Sequence, residues 1–369
     1  MSDSRRRYDG VSQSLRQILP EQWAKHNSQM VNLSLLVSAI PGAKDLTQHA
    51  LAAEMPVKAQ DTSLAQRQRR WAKDEQVQER EIYEPVILPF IQAVSQATAL
   101  LILDTTAAGV NAHLLTVALG YQRRALPLAW QAGEGKRGHT TGQSQVELLE
   151  YVAQWLPDQA TVVVVGDGEF GNTALLTYLT QQNWPYVLRI AADTTIWYEE
   201  EWQRLDTFDL QPKEVIWLEQ VYLTQTAPFG PVNILLVWDE RHQRCLPLVT
   251  NFELFQEARY WYRKRPWIEP LFGDMKGHGF DFQTSRLRHP ERLSRLMLAV
   301  ALAYLWLCFL GSLALMWGQA KWVDRTDRRD RSIFTIGRQW LNYLLKLDKP
   351  IPLGFTPYPF LRLPPAGVG

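Results

Sequence analysis

Leu296 to Gly318 is a run of 23 residues without a charged side chain, and it constrains the fold more than any other segment. Length alone would let such a run span a membrane. Arg295 and Lys321 flank it alike and no other run is as long, so it reads instead as a buried central helix. A helix apolar on every side needs protein on every side. The chain is long enough to supply it. With 369 residues, 46% hydrophobic, and 39 Lys+Arg against 38 Asp+Glu, it describes a folded protein of two or three domains. Near-neutral charge argues against a uniformly basic nucleic-acid binder. Two cysteines, Cys245 and Cys308, exclude a disulfide framework or zinc ribbon and fit a reducing compartment. The polar start MSDSRRRYDG has no secretory pattern, so the cytoplasm is the expected location and no membrane partner is expected.

Charge is distributed unevenly. Arg259 to Arg295 carries a net +5 and Asp193 to Glu240 a net −8. One segment suits a polyanion and the other repels it. Residues 1–95 read as helical, since apolar positions recur at three and four residues with little punctuation. Asp45 to Ala53 and Ser63 to Lys73 read as two short helices around a turn, with Ser63 as N-cap. On the second, Gln66, Arg67, Arg70 and Lys73 share one face, a helix-turn-helix pattern with Arg67 and Arg70 as candidate DNA contacts. A solvated surface helix fits the same pattern equally well. From Ala99 the texture becomes β. ALLILD, AHLLTVALGY and RALPLAWQ read as strands, followed by a helix over 143–155, the strand TVVVVGD, a helix over 172–182 and the strand YVLRI. The α/β core thus spans 96–190, a β-rich insertion 191–249, the remaining core 250–320 and a C-terminal region 321–369. In that last region Arg325, Arg328, Arg329 and Arg331 alternate with Asp324, Asp327 and Asp330, which reads as a salt-bridged surface.

Asp104 ends LILD and Asp167 ends VVVVGD, where Gly166 and Gly168 are expected to let the backbone turn. Both acids then sit at the carboxyl ends of adjacent strands, where open α/β sheets place their sites. Two or three convergent carboxylates suit a hard divalent cation such as Mg²⁺. The seven histidines show no ligand spacing. A third acid comes from YWYRKRPWIEPLFGDMK. Tyr262, Arg265, Glu269 and Lys276 fall on one narrow face of a helix at about 100° per residue, while Asp274 points away. Pro266 and Pro270 are expected to kink this helix or start it. Glu169 and Glu134 are weaker competing acids.

The run from Tyr262 to Lys276 has the spacing Y-(2)-R-(3)-E-(6)-K, which resembles the signature of the insertion-sequence-four group of bacterial DDE transposases. The segments around Asp104 and Asp167 are similar to those carrying the first two acids of that family. The resemblance covers about Leu100 to the end. It implies a ribonuclease-H-like catalytic core, a mixed sheet flanked by helices, with a β-rich insertion before the third acid. It also implies a catalytic, metal-ligating set of Asp104, Asp167 and Glu269 holding two Mg²⁺ ions, for which Mn²⁺ may substitute. Tyr262, Arg265 and Lys276 would grip DNA phosphates. The activity implied is metal-dependent phosphodiester hydrolysis and strand transfer of an insertion sequence. The alternatives are a nuclease on the same fold or an inactive DNA-binding remnant. DNA, as terminal inverted repeats and target, is the implied partner, with a homodimer forming on the DNA ends at the bacterial nucleoid. Similar enzymes release hairpin DNA with a base stacked on an aromatic ring. Trp197, Trp217 and Trp238 lie in the insertion, where core packing is the commoner use of tryptophan.

Overall fold

Residues 3–94 form six helices in the computed structural model, which describes residues 1–359 apart from His26, Gln96, Arg241, His278 and Asp327. They are α1 (Asp3–Ile18), α2 (Glu21–Lys25), α3 (Asn27–Ala39), α4 (Gln48–Ala53), α5 (Asp61–Lys73) and α6 (Glu79–Val94). Ser2 and Thr47 cap α1 and α4 by accepting backbone N–H bonds. The expected cap Ser63 lies inside α5 instead. That helix begins at Asp61 after Gln60, which makes no side-chain cap. Leu64, Ala65, Gln68 and Trp71 form the buried face of α5, leaving Arg70 and Lys73 exposed. Arg67 is half-buried and donates to Asn32 of α3, so it is committed within the protein.

The remaining elements are β1 (Thr98–Ala108), β2 (Ala112–Tyr121), β3 (Arg124–Glu134), α7 (Gly142–Ala153), β4 (Thr161–Gly166), α8 (Thr173–Gln181) and β5 (Tyr186–Arg189). There follow β6 (Thr195–Tyr198), β7 (Glu201–Arg204), β8 (Val215–Leu223), β9 (Phe229–Asp239), β10 (Arg244–Thr250), α9 (Phe255–Tyr262), α10 (Glu269–Met275), α11 (Pro290–Met316) and α12 (Ile333–Lys346). All ten strands join one sheet in the order β3-β2-β1-β4-β5-β10-β9-β8-β6-β7. β1 to β3 pair antiparallel, while β1, β4 and β5 run parallel. That mixed order is the ribonuclease-H-like arrangement, with helices flanking the sheet. The strands of 191–249 extend the same sheet. The chain leaves after β5, crosses to the far edge at β6 and β7, and returns inward through β8, β9 and β10, which pairs antiparallel with β5.

Every residue of α11 from Arg295 to Ser312 is buried. α11 packs on β3, with α3, α5, α6 and α12 around it. It is the one helix among the described residues long and apolar enough to cross a membrane, and here its sides are covered by the sheet and helices. Its crossing with α12 is a backbone contact. A Cβ on Gly337 would lie 1.8 Å from the Leu307 carbonyl oxygen, and one on Gly311 2.0 Å from that of Ile333. At the other end Arg295 donates to the carbonyl oxygens of Ala72 at 3.0 Å and Val77 at 3.3 Å. These bonds satisfy one carbonyl in the last turn of α5 and one in the loop before α6, and tie the N-terminal helices to the core.

Candidate active site

Leu103 of β1 is the register partner of Gly166 in β4, so the next residues, Asp104 and Asp167, stand side by side. Asp167 follows the end of β4, but Asp104 lies within β1, which runs on to Ala108 because its pairing with β2 continues past the acid. Gly166 is needed for space rather than for a turn. It has no positive φ, and a Cβ there would lie 3.0 Å from the Phe170 side chain. Gly168 also lacks a positive φ, so the expectation of a glycine-driven turn fails at both positions. Asp104 Oδ1 accepts from the Thr105 N–H at 2.8 Å, and Asp167 Oδ1 accepts from the Glu169 N–H at 3.1 Å. Their Oδ2 atoms remain free to face a common point.

Arg265 occupies that point. Its Nη2 lies 3.0 Å from Asp104 Oδ2 and 3.1 Å from Asp167 Oδ2, and its Nη1 lies 3.1 Å from Glu269 Oε1. The expected single helix from Tyr262 to Lys276 is broken. α9 ends at Tyr262, residues Arg265–Ile268 form a 3₁₀ turn, and α10 starts at Glu269 with Pro270 in its first turn. Proline lacks the N–H that a continuous helix requires. The tighter turn still delivers Arg265 and Glu269 to the two aspartates. Lys276, at the end of α10, lines the same cleft. Tyr262 lies within electrostatic reach of Arg265 and Asp167.

Burial dominates the electrostatics. It raises the Asp104 carboxyl to about 6, the neighbouring Arg265 opposing it and Asp167 and Glu269 adding to it. Burial raises the Tyr262 phenol to about 12, so its hydroxyl is a hydrogen-bond donor at neutral pH. Burial lowers the Lys276 ammonium, and Arg137 lowers it further. The cleft, about 860 Å³, also holds Glu169, Arg137 and Arg189. Glu169 accepts from the N–H and hydroxyl of Thr140 at 2.8 and 2.5 Å. It therefore tethers the loop that carries Arg137. Arg137 and Arg189 escaped the sequence reading. The signal for Arg189 was present: a guanidinium closing the apolar strand YVLRI, beside the strand that carries Asp167.

Other candidates lie elsewhere. Asp274 is buried against Arg124, away from the acids, as its helix angle implied. Glu134 is exposed at the end of β3. Trp197, Trp217 and Trp238 do not line the cleft; Trp217 faces Phe255 of α9. Arg67 and Arg70 sit on α5, outside it. In the C-terminal region Arg328 pairs with Asp330 at 2.8 Å, while Asp327 lies outside the described residues.

A family model described as a transposase DDE domain matches residues 105–306, more than half of the chain. The chain belongs to the DDE transposase family. Transposition is the activity class of such domains, which generally depend on a divalent metal, and DNA is their substrate. The match opens one residue after Asp104 and spans Asp167 and Glu269. Among solved structures, the chain is similar to a piggyBac transposase in a synaptic complex with hairpin DNA, at 11% identity and a TM-score of 0.48 over 88% of this chain and 73% of that one. No curated protein matches the sequence. The donor set fits the metal that the family uses, because two carboxylate oxygens already meet on one nitrogen and hard divalent cations take oxygen ligands. Glu269 is held on the far side of the guanidinium. Accordingly, no three acidic, histidine or cysteine side chains among the described residues stand close enough to ligate one ion together.

Proposed function

We propose that this transposase belongs to the insertion-sequence-four group and carries out metal-dependent phosphodiester hydrolysis followed by strand transfer. The observation that carries the reading is the meeting of Asp104, Asp167 and Glu269 on Arg265. Asp104 comes from β1, Asp167 from just past the end of β4, and Glu269 from the start of α10, more than 90 residues further on. Asp104 and Asp167 would hold one Mg²⁺ or Mn²⁺ ion, and Asp104 with Glu269 a second. Bound there, divalent ions activate a water or 3′-hydroxyl nucleophile and stabilise the leaving oxygen. The rest of the work falls to the chain itself. Lys276 supplies a point charge to a phosphate, Tyr262 a hydroxyl donor, and Arg265 a planar fork once freed from the acids. α5, through Arg70 and Arg67, would read the terminal inverted repeats, with two copies of the chain pairing the DNA ends at the nucleoid in the bacterial cytoplasm.

The test is a joining reaction with Mg²⁺, a supercoiled plasmid and a pre-cut fragment bearing the DNA that flanks the gene. Covalent attachment of the fragment to the plasmid is the expected product. Cutting without joining would replace the transposase reading with a nuclease, and no cutting with any divalent ion would leave only DNA binding.

A further inference from the structure

Arg265 cannot serve the acids and a phosphate at once. Two of its nitrogens are engaged by three carboxylates, and its Nε is buried without a partner. A guanidinium binds phosphate through a fork of parallel N–H groups, and here the fork is turned inward. Nor can it share its place with a divalent ion, because two cations about 3 Å apart in a half-buried site repel strongly. The side chain is only 15% exposed, so the arrangement is a packed one and not a surface contact.

Building on the transposase reading, we propose that Arg265 is the resident counter-cation of the acid cluster. Divalent metal must displace it, and a DNA phosphate then receives it, so that metal and DNA strengthen each other's binding. Without metal, the guanidinium keeps three like charges converged that would otherwise push apart. With metal, it is released toward the cleft, where Arg137, Arg189 and Lys276 already favour a polyanion. Coupling of this kind is reciprocal: whatever factor DNA adds to metal affinity, metal adds to DNA affinity.

The experiment is titration calorimetry of the full chain with Mn²⁺ alone at pH 8, where Asp104 is ionised. Arg265→Ala and Arg265→Gln should bind Mn²⁺ about tenfold more tightly than wild type, within the usual range of coupling between sites. Arg265→Lys, which keeps the charge, should stay close to wild type. Wild type should also bind a duplex of arbitrary sequence severalfold more tightly with Mn²⁺ than without, and this gain should shrink in Arg265→Gln. Because the last comparison starts from wild type, it holds even if a neutral variant folds poorly. Equal Mn²⁺ affinity in wild type and the neutral variants, or no Mn²⁺ effect on wild-type DNA binding, would overturn the proposal. If divalent-dependent cutting persists in that case, the transposase reading survives. Absence of Mn²⁺ binding in every form would sink both.

Discussion

As a metal ligand, Asp104 would have to ionise where burial makes ionisation costly. Its carboxyl, 8% exposed, titrates near 6 instead of 3.8. The folded protein therefore binds this proton more tightly than the unfolded chain does. That contribution is fully present below about pH 4 and is lost as pH rises through 6, an effect of order 3 kcal/mol. Asp104→Asn should accordingly abolish cleavage yet raise the melting temperature of the metal-free protein at pH 7 by a few degrees. It should also flatten the stability profile between pH 4 and 6. Thermal melts across that range check both, and an unchanged pH profile would show that another group is responsible. Asp274 predicts the opposite pattern. Asp274→Asn leaves Arg124 as an unpaired buried cation and should cost about 3–5 kcal/mol, while Mn²⁺ affinity measured on the folded fraction stays as in wild type.

At the scale of elements, the segment from Tyr262 to Met275 shows what sequence could and could not tell. The spacing of Arg265 and Glu269 brought their side chains together on one helix face, and they do meet, at 3.1 Å. The two prolines marked a break without saying that a 3₁₀ turn would bridge it. Asp104 and Asp167 were legible as acids closing the apolar runs LILD and VVVVGD, although β1 itself continues past Asp104 to Ala108. The capture of Arg265 by the acids was not, since it depends on the chain's path through three separate regions. The crossing of α11 and α12 was equally hidden: glycine in a helix reads as a defect until a neighbour's backbone is seen against it. Gly337→Ala and Gly311→Ala should each force the helices apart and destabilise the protein by several kcal/mol, measured by denaturant unfolding. Leu305, fully buried, should tolerate a charge no better. Leu305→Lys is expected to yield insoluble or unfolded protein, and partition of the wild type into membranes would contradict the buried-helix assignment.

At the scale of the whole molecule, Arg295 of α11 ties the end of α5 and the loop after it to the core that carries the cleft. Lys276→Ala should make the slope of log K against log salt shallower by roughly 0.9 on duplex DNA, alike for any sequence. Arg70→Ala should weaken specific ends more than random duplex, and equal losses on both would remove α5 from sequence reading. Arg67→Ala should act mainly through stability, since its partner is Asn32. The return of the chain through β10 to the edge of β5 bears also on the order of synthesis. By residue 190 the ribosome has delivered both aspartates on paired strands, but β5 waits for an edge partner that starts only at Arg244. Arg265 and Glu269 come later still. A nascent chain thus holds two of the three proposed acids throughout the making of its acidic excursion, and the proposed centre is complete only once Glu269 has followed.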